Sequence, residues 1–266
     1  MINQLKDFLE KKRHSTQSEQ LEINTHIIYQ YIHDIFNIIE RMGKNRHFLN
    51  FLSTCNQDTY TIQHPIFPKV LEELKKVFEG NDDVYLTFIS IKANEDSLDN
   101  FGRSRQHECK IGLREKYLMS ERSWYKETDK QYGKPTMTLP YRDTSGSYII
   151  SFTKAIFNKK KEVIGVVGLD INLLNILKNI KTPFRYLIVA SRGEILFDSK
   201  EISFNIYQNK FNLMMLVKPD VFYSIMNNES NKIYTEFDNK KRTIYFKPII
   251  VDKYYFVQVN EKTQVK

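Results

Sequence analysis

Residues 148–171 read YIISFTKAIFNKKKEVIGVVGLDI, and this stretch decides the fold class. Two runs rich in β-branched residues, Tyr148–Phe157 and Val163–Ile171, flank the lysine-rich NKKKE, which has the composition of a turn. The pattern predicts a hairpin of two long strands. Upstream, Val84–Ile91 (VYLTFISI) is a third predicted strand, and Gln106–Ile111 is a weaker candidate. We therefore expect an antiparallel sheet in the middle of the chain.

Helical spacing dominates the residues before this sheet. Through the first 55 residues, apolar side chains recur every three or four positions, without proline and with Gly43 as the only glycine. The spacing predicts one long amphipathic helix of roughly 40 residues, a stalk along which modules pack. A coiled coil is disfavoured because strict heptads are not kept. A second helix is predicted from Pro68 to Phe78, with Gly80 as its stop.

A smaller strand-rich pattern follows Pro183. Its predicted strands are Arg185–Ser191, Glu194–Phe197, Phe211–Val217, Lys232–Phe237, Thr243–Pro248 and Tyr254–Val259, with a helix from about Asp220 to Asn227. The fold class is therefore α+β. The expected domains are a stalk helix over residues 1–59, a first module over 60–178 and a second module over 179–266.

Composition narrows the class of protein. In 266 residues, 41% are hydrophobic and 13% aromatic, which suffices for a real core and excludes disorder on compositional grounds. The net charge of +8 invites a nucleic-acid partner. The basic residues are, however, spread in short clusters between acidic ones, without a nucleic-acid-binding motif. No nucleic-acid partner is therefore expected.

Metal, disulfide and catalytic motifs are missing from the sequence. Cys55 and Cys109 lie far apart, so neither a zinc site nor a disulfide framework follows, and a single bridge between them stays open. The six histidines are scattered, and no nucleophile elbow, phosphate-binding loop or dinucleotide-binding motif is present. We expect no catalytic residues, no metal and no cofactor, and thus no enzyme.

The sequence has neither a membrane-spanning window nor a signal peptide. This is what remains when a sensor region is separated from its flanking membrane helices. We therefore expect an excised extracytoplasmic piece whose parent protein has one membrane helix before it and another after it.

The stretch that carries chemistry runs from Tyr117 to Asp170. It contains polar and aromatic residues that we expect to bind a ligand: Tyr117, Arg122, Trp124, Tyr125, Tyr141, Asp143, Thr144 and Asp170. A free amino acid has a carboxylate and an ammonium about 3 Å apart. Arg122 offers a planar donor fork for the carboxylate. Asp143 and Asp170 offer acceptors for the ammonium, and Tyr141 or Tyr125 can present a ring face to the cation. The subpocket for the ligand's side chain is expected to include residues from Val84 to Lys92 and from Arg103 to Lys110.

These residues also resemble a known family. The order Tyr, Arg-x-Trp-Tyr, Tyr-x-Asp and Gly-x-Asp-Ile is similar to the motif of double-Cache (dCACHE) sensor domains that bind amino acids. Such domains occur in bacterial chemoreceptors, sensor histidine kinases and diguanylate cyclases. The resemblance implies two PAS-like (Cache) modules beside a long helix, an amino acid bound in the membrane-distal module, and a signal passed to the membrane. It also makes the long helix a candidate homodimer contact.

Three alternatives to an amino-acid sensor stay open, the third of which is a cytosolic interaction module that flanking membrane helices in the full gene would exclude. The first is a sensor of a small carboxylate or an amine. A carboxylate needs only the arginine, and an amine needs only the aspartates. The second, from a different class, is a hydrolase-like enzyme, because Tyr, Arg and Asp can also line a hydrolytic site.

Overall fold

The computed structural model describes residues 17–143, 148–172, 175, 177, 178, 180, 182, 184–200, 212–227, 232–250 and 254–260. The chain divides into two compact units. We call Ile32–Leu177 the first module, and Met1–Tyr31 with Lys178–Lys266 the second module. The predicted boundaries at residues 59 and 178 stay a prediction.

The N-terminal helical region contains two helices, α1 (Gln17–Gly43) and α2 (Arg46–Thr54). The expected single helix is interrupted because Asn45 takes an extended conformation and caps α2. Its side-chain oxygen accepts hydrogen bonds from the backbone N–H groups of His47 and Phe48. An asparagine in this role stabilises a new helix start, and the preceding Gly43 is a poor helix former.

The first module is built on an antiparallel sheet with strand order β2-β1-β6-β5-β3, to which β4 is added on β5. The strands are β1 (Val84–Ile91), β2 (Asp96–Asp99), β3 (Thr136–Met137), β4 (Tyr141–Arg142), β5 (Tyr148–Phe157) and β6 (Val163–Asn172). The predicted hairpin is thus the β5–β6 pair. Helix α3 (Phe67–Glu79), which buries Val70 and Leu74, contacts β1.

Two short helices lie between β2 and β3, namely α4 (Arg105–Lys110) and α5 (Ser123–Asp129). The expectation of a strand over Gln106–Ile111 is wrong. Ser104 caps α4 by accepting a hydrogen bond from the backbone N–H of His107. The same hydroxyl donates to the buried Asp96, so a contact outside the segment fixes the helix start.

The second module has a sheet with strand order β8-β7-β11-β10-β9. Its elements are β7 (Arg185–Ala190), β8 (Ile195–Asp198), α6 (Pro219–Met226), β9 (Lys232–Phe237), β10 (Lys240–Ile250) and β11 (Tyr254–Asn260). Helix α6 buries Val221, Phe222 and Ile225 in the core of this module. The predicted strand Phe211–Val217 is wrong where it is described, because Leu213–Met215 is a 3-10 turn capped by Asn212.

The predicted fold class is confirmed, since the chain has a long N-terminal helix and two antiparallel sheets with helices packed on them. Among the described residues, no helix combines the length and the apolarity needed to span a membrane.

Candidate functional site

A cavity of about 80 Å³ lies in the first module. One water molecule needs roughly 10–15 Å³ on this scale, so the cavity has room for a small ligand. Its walls come from β1, β2, β4, β5, β6, α4 and the region around α5. The lining residues are Leu86, Phe88, Ser97, Asp99, Arg105, Arg114, Tyr117, Arg122, Trp124, Tyr141, Asp143, Ile149 and Asp170.

The floor of the cavity is formed by Phe88 on β1 and the opposite strand β6. Phe88 pairs with Gly168, and the ring lies directly over that glycine. A Cβ atom at position 168 would stand 2.3 Å from the ring, so the position needs glycine for this close approach. Phe88 in turn packs on Trp124, with ring centroids 5.1 Å apart. The absence of a side chain at Gly168 therefore allows the Phe88 ring to lie close against the backbone of β6.

Asp170 lies on the central strand β6 and is 5% exposed. Its carboxylate accepts a hydrogen bond from the Ser151 hydroxyl at 2.5 Å. Because Ser151 has a single proton and gives it to Asp170, the Tyr141 hydroxyl, 2.7 Å away, donates to Ser151. Burial raises the pKa of Asp170 to about 7; the Ser151 bond opposes this rise, the charge of Asp143 adds to it, and the positive charge of Arg105 opposes it. The site thus holds a buried carboxylate that forms no ion pair with any described residue.

Tyr141 stays a neutral hydrogen-bond donor. It lies on β4 opposite Ile149, and its burial and the nearby charge of Asp170 raise its pKa far above the usual value. The positive charge of Arg122 acts on the same phenol in the opposite direction. The Tyr141 hydroxyl is therefore within electrostatic reach of both a carboxylate and a guanidinium.

Arg122 lies at the junction of the 3-10 turn Met119–Glu121 and α5. Its guanidinium carbon is 5.8 Å from the centre of the Tyr117 ring. Among the described residues, no acceptor hydrogen-bonds to its guanidinium group and no carboxylate pairs with it. A guanidinium at a cavity wall without a protein acceptor is suited to an external anion.

The hydrophobic support of this wall comes from Trp124 and Tyr125, both 6% exposed. They pack with Phe88, Met119 and Val166 in one buried cluster. Helix α5 is held to the sheet by a hydrogen bond between the hydroxyls of Thr128 and Thr153. Trp124 lines the cavity, whereas Tyr125 lies behind it.

The structure brings most of the predicted ligand-binding residues to this one cavity. They are Tyr117, Arg122, Trp124, Tyr141, Asp143 and Asp170. Tyr125 belongs to the adjacent buried cluster and is not among the lining residues. Thr144 lies outside the described residues. Among the residues described, no group of three or more His, Cys, Asp or Glu could hold a metal ion.

Arg105 lies in the region Arg103–Lys110 that is predicted to contribute to the side-chain subpocket, and Leu86 and Phe88 lie in the predicted region Val84–Lys92, whereas sequence reasoning missed Arg114. Arg105 donates to both carboxylate oxygens of Glu108 and to Asp99, and Arg114 donates to Glu108. Burial disfavours the charge of Arg105, but the bond with Glu108 and the charge of Asp99 raise its pKa overall. The segment RQHECK has no apolar period, so the one local signal was Ser104 as a helix cap.

Comparison with known proteins finds a family match for the region that contains the cavity. Residues 70–178 match the family described as "Methyl-accepting chemotaxis protein-like, first PDC sensor domain". A search of the curated proteins finds no match for the chain.

Solved structures with the same fold include two chemoreceptor ligand-binding domains. That of Tlp3 from Campylobacter jejuni, in complex with 4-methylisoleucine, has a TM-score of 0.65 and 16% identity, covering 94% of this chain and 93% of its own. That of CtaA from Pseudomonas fluorescens, in complex with L-isoleucine, has a TM-score of 0.61 and 18% identity, covering 97% and 93%. CtaA in complex with L-serine has a TM-score of 0.61, covering 98% and 99%.

These likenesses cover both modules and confirm the fold that the double-Cache resemblance implies. Residues 70–178 thus match the model of a first PDC sensor domain, and the chain has the fold of the chemoreceptor ligand-binding domains to which it is similar.

Proposed function

We propose that the first module binds a free α-amino acid and that the chain passes the binding event on as a conformational signal. One observation carries this proposal. The unpaired guanidinium of Arg122 and the buried carboxylate of Asp170 line the same small cavity.

The two charged ends of an amino acid match these two groups. The carboxylate of the ligand accepts from the Arg122 fork, and its ammonium donates to Asp170 and Asp143. Ionised hydrogen bonds contribute roughly 1.5–3 kcal/mol each, so a few of them support micromolar binding after the ligand is immobilised. An ammonium also supplies the cation that the buried Asp170 lacks.

The related structures support the same ligand class. The domains of Tlp3 and CtaA have been crystallised with isoleucine, leucine, valine and serine. Their shared fold and the charged cavity described above make amino-acid sensing the function that best fits this chain.

The second module then transmits the signal and carries no ligand. Closure around the ligand shifts the balance between two states of the region, which is the general basis of such transmission. In this proposal the chain is the extracytoplasmic part of a membrane receptor, works without catalysis, and has membrane helices before and after it. Pairing of two copies through the long N-terminal helix stays a prediction.

Calorimetry and thermal shift with the twenty amino acids test the proposal directly. A ligand at one hundred times its dissociation constant stabilises the folded chain by about 2.7 kcal/mol. The deaminated acid and the methyl ester of the best ligand serve as controls, since each lacks one charged end. Both analogues should fail to bind.

Each alternative function predicts a different result. Equal binding of the deaminated acid indicates a carboxylate sensor, and equal binding of the ester or the simple amine indicates an amine sensor. Turnover of a candidate ester or amide indicates a hydrolase. Any of these three results contradicts the proposed function.

A further inference from the structure

The wall of the cavity formed by β2 and α4 is a network of ion pairs. Arg105 and Arg114 line the cavity, with side chains 15% and 25% exposed. They are held by Asp99 and Glu108, which are 2% and 16% exposed. The α-carboxylate and α-ammonium of the proposed ligand are already provided for by Arg122, Asp143 and Asp170. The network is therefore available to the side chain of the ligand.

Most acceptor positions of this wall are used within the protein. In Asp99, Oδ1 accepts from the backbone N–H groups of Phe101 and Arg103, and Oδ2 accepts from Arg103 Nε and Arg105 Nη2. In Glu108, Oε2 accepts from both Arg105 and Arg114, whereas Oε1 accepts from Arg105 alone. The two carboxylates are thus occupied mainly by guanidinium and backbone N–H donors of the protein.

The donors of the same wall are not fully used. Arg114 donates its Nε–H to Glu108, and among the described residues no acceptor contacts its Nη1 or Nη2. The Nε–H of Arg105 is likewise unmatched in the described part of the chain. Two parallel N–H donors on one guanidinium form the fork that a carboxylate fits bidentately.

We propose that the amino acid bound in this cavity carries a side-chain carboxylate, and that Arg114 is the residue that selects it. This inference rests on the proposed function and narrows its ligand to aspartate or glutamate. An amide fits less well because its neutral oxygen accepts more weakly from a guanidinium than a carboxylate does. A basic side chain brings donors against donors. An aliphatic side chain leaves the Arg114 fork and the Arg105 Nε–H without an acceptor, at a cost in affinity.

Three ligands and two variants test this inference by calorimetry. The ligands are L-glutamate, L-aspartate and, as a neutral isostere of glutamate, L-glutamine. The variants are Arg114→Gln and Arg103→Gln. Arg103 is the matched control because it bonds Asp99 in the same network, yet it is 49% exposed and does not line the cavity.

The expected result has two parts. The parent chain binds L-glutamate or L-aspartate at least about tenfold more tightly than L-glutamine, and Arg114→Gln reduces that preference to near one. Arg103→Gln changes the affinities less than about threefold. The retained affinity of Arg114→Gln for L-glutamine, together with its melting temperature, shows that the variant is folded.

Three results would overturn the inference, and they are distinguishable. If L-leucine or L-isoleucine, titrated in the same way as controls, binds more tightly than both acidic amino acids, the side-chain selection is wrong and the proposed function stands. If no amino acid binds the parent chain, the proposed function itself fails. A preference for acidic ligands that survives Arg114→Gln likewise removes Arg114 from the role assigned to it.

Discussion

Ser151 on β5 donates the one hydrogen bond that reaches the carboxylate of Asp170 from any described residue. The two residues are directly paired across the β5–β6 ladder. A buried carboxylate is stable as an anion when it accepts two or three such bonds. With one bond, Asp170 is poised between its neutral and charged forms, and several properties of the chain follow.

Binding of the amino acid should strengthen as the pH rises towards 7 and level off above it. The ammonium of the ligand pairs with the ionised form of Asp170, whose pKa is about 7 in the free chain. Below that pH the carboxylate must first lose a proton, so the affinity falls by up to about tenfold per pH unit. Calorimetry from roughly pH 5 to pH 8.5 measures this profile, and a flat profile contradicts the role of Asp170.

Asp170→Asn should abolish binding and yet stabilise the free chain at pH 8. Unfolding returns the pKa of Asp170 from about 7 to its ordinary value of 3.8. Stability therefore falls as the pH rises between these two values, by at most about 4 kcal/mol. The variant escapes this loss, and its advantage disappears near pH 4, where the carboxyl is neutral in both states. Chemical denaturation of the parent chain and of Asp170→Asn tests this: the variant should be more stable at pH 8 and no more stable at pH 4.

Ser151→Ala should move the pH profile of binding upward. The hydroxyl lowers the pKa of Asp170, so its removal raises that pKa further and binding requires a higher pH. Thr153→Val is the matched control. Thr153 also lies buried on β5, but its hydroxyl bonds Thr128 outside the cavity. An equal displacement of both profiles would show that general destabilisation is the cause.

Arg122→Gln should remove binding without a measurable loss of stability. Because no described residue hydrogen-bonds or ion-pairs with the guanidinium, its loss removes only the contact with the Tyr117 ring at 5.8 Å, which contributes little to stability. A charged bond to the ligand is lost, so we expect affinity to fall by at least about tenfold. Lys126→Gln, an exposed position on α5, is the control. A large drop in the melting temperature of Arg122→Gln would assign the residue a structural role.

Gly168→Ala should weaken binding by lifting the floor of the cavity. The new Cβ overlaps the Phe88 ring, so the ring has to shift, and because Phe88 lines the cavity we expect the shift to narrow the space for the ligand. Overpacking of this kind costs about 1–3 kcal/mol of stability. A melting curve together with a binding isotherm separates the two effects. Unchanged affinity would mean that Phe88 has room to move elsewhere.

Much of the fold follows from local sequence patterns. The near-continuous apolar run at Val84–Ile91 predicts β1 with the bounds that the structure has. The β5–β6 hairpin follows from two such runs around a turn. Local patterns fail where a distant residue decides the outcome, as at α4, where Asp96 holds the capping Ser104.

The residues of the candidate site also fall into two groups, those that the sequence predicts and those that it does not. A motif of fixed order marks the residues proposed to bind the α-carboxylate and α-ammonium, because every amino acid presents those groups in the same geometry. The region of Arg105 is predicted, but Arg114 escapes prediction because the side-chain end of the cavity has no fixed pattern. Arg105 and Glu108 stand three residues apart on one helix, whereas the position of Arg114 depends on a contact with Glu108 that no helical spacing indicates.

The wall formed by α4 contains no buried residue. Substitutions there leave the hydrophobic core of the first module untouched, since that core lies between α1, α3 and the sheet. Arg105 is the exception on α4, because it pairs with the buried carboxylate of Asp99, and loss of that partner would destabilise the fold. Arg114, which follows α4 and pairs with the less deeply buried Glu108, is therefore the position at which the proposed side-chain preference can change with less risk to folding.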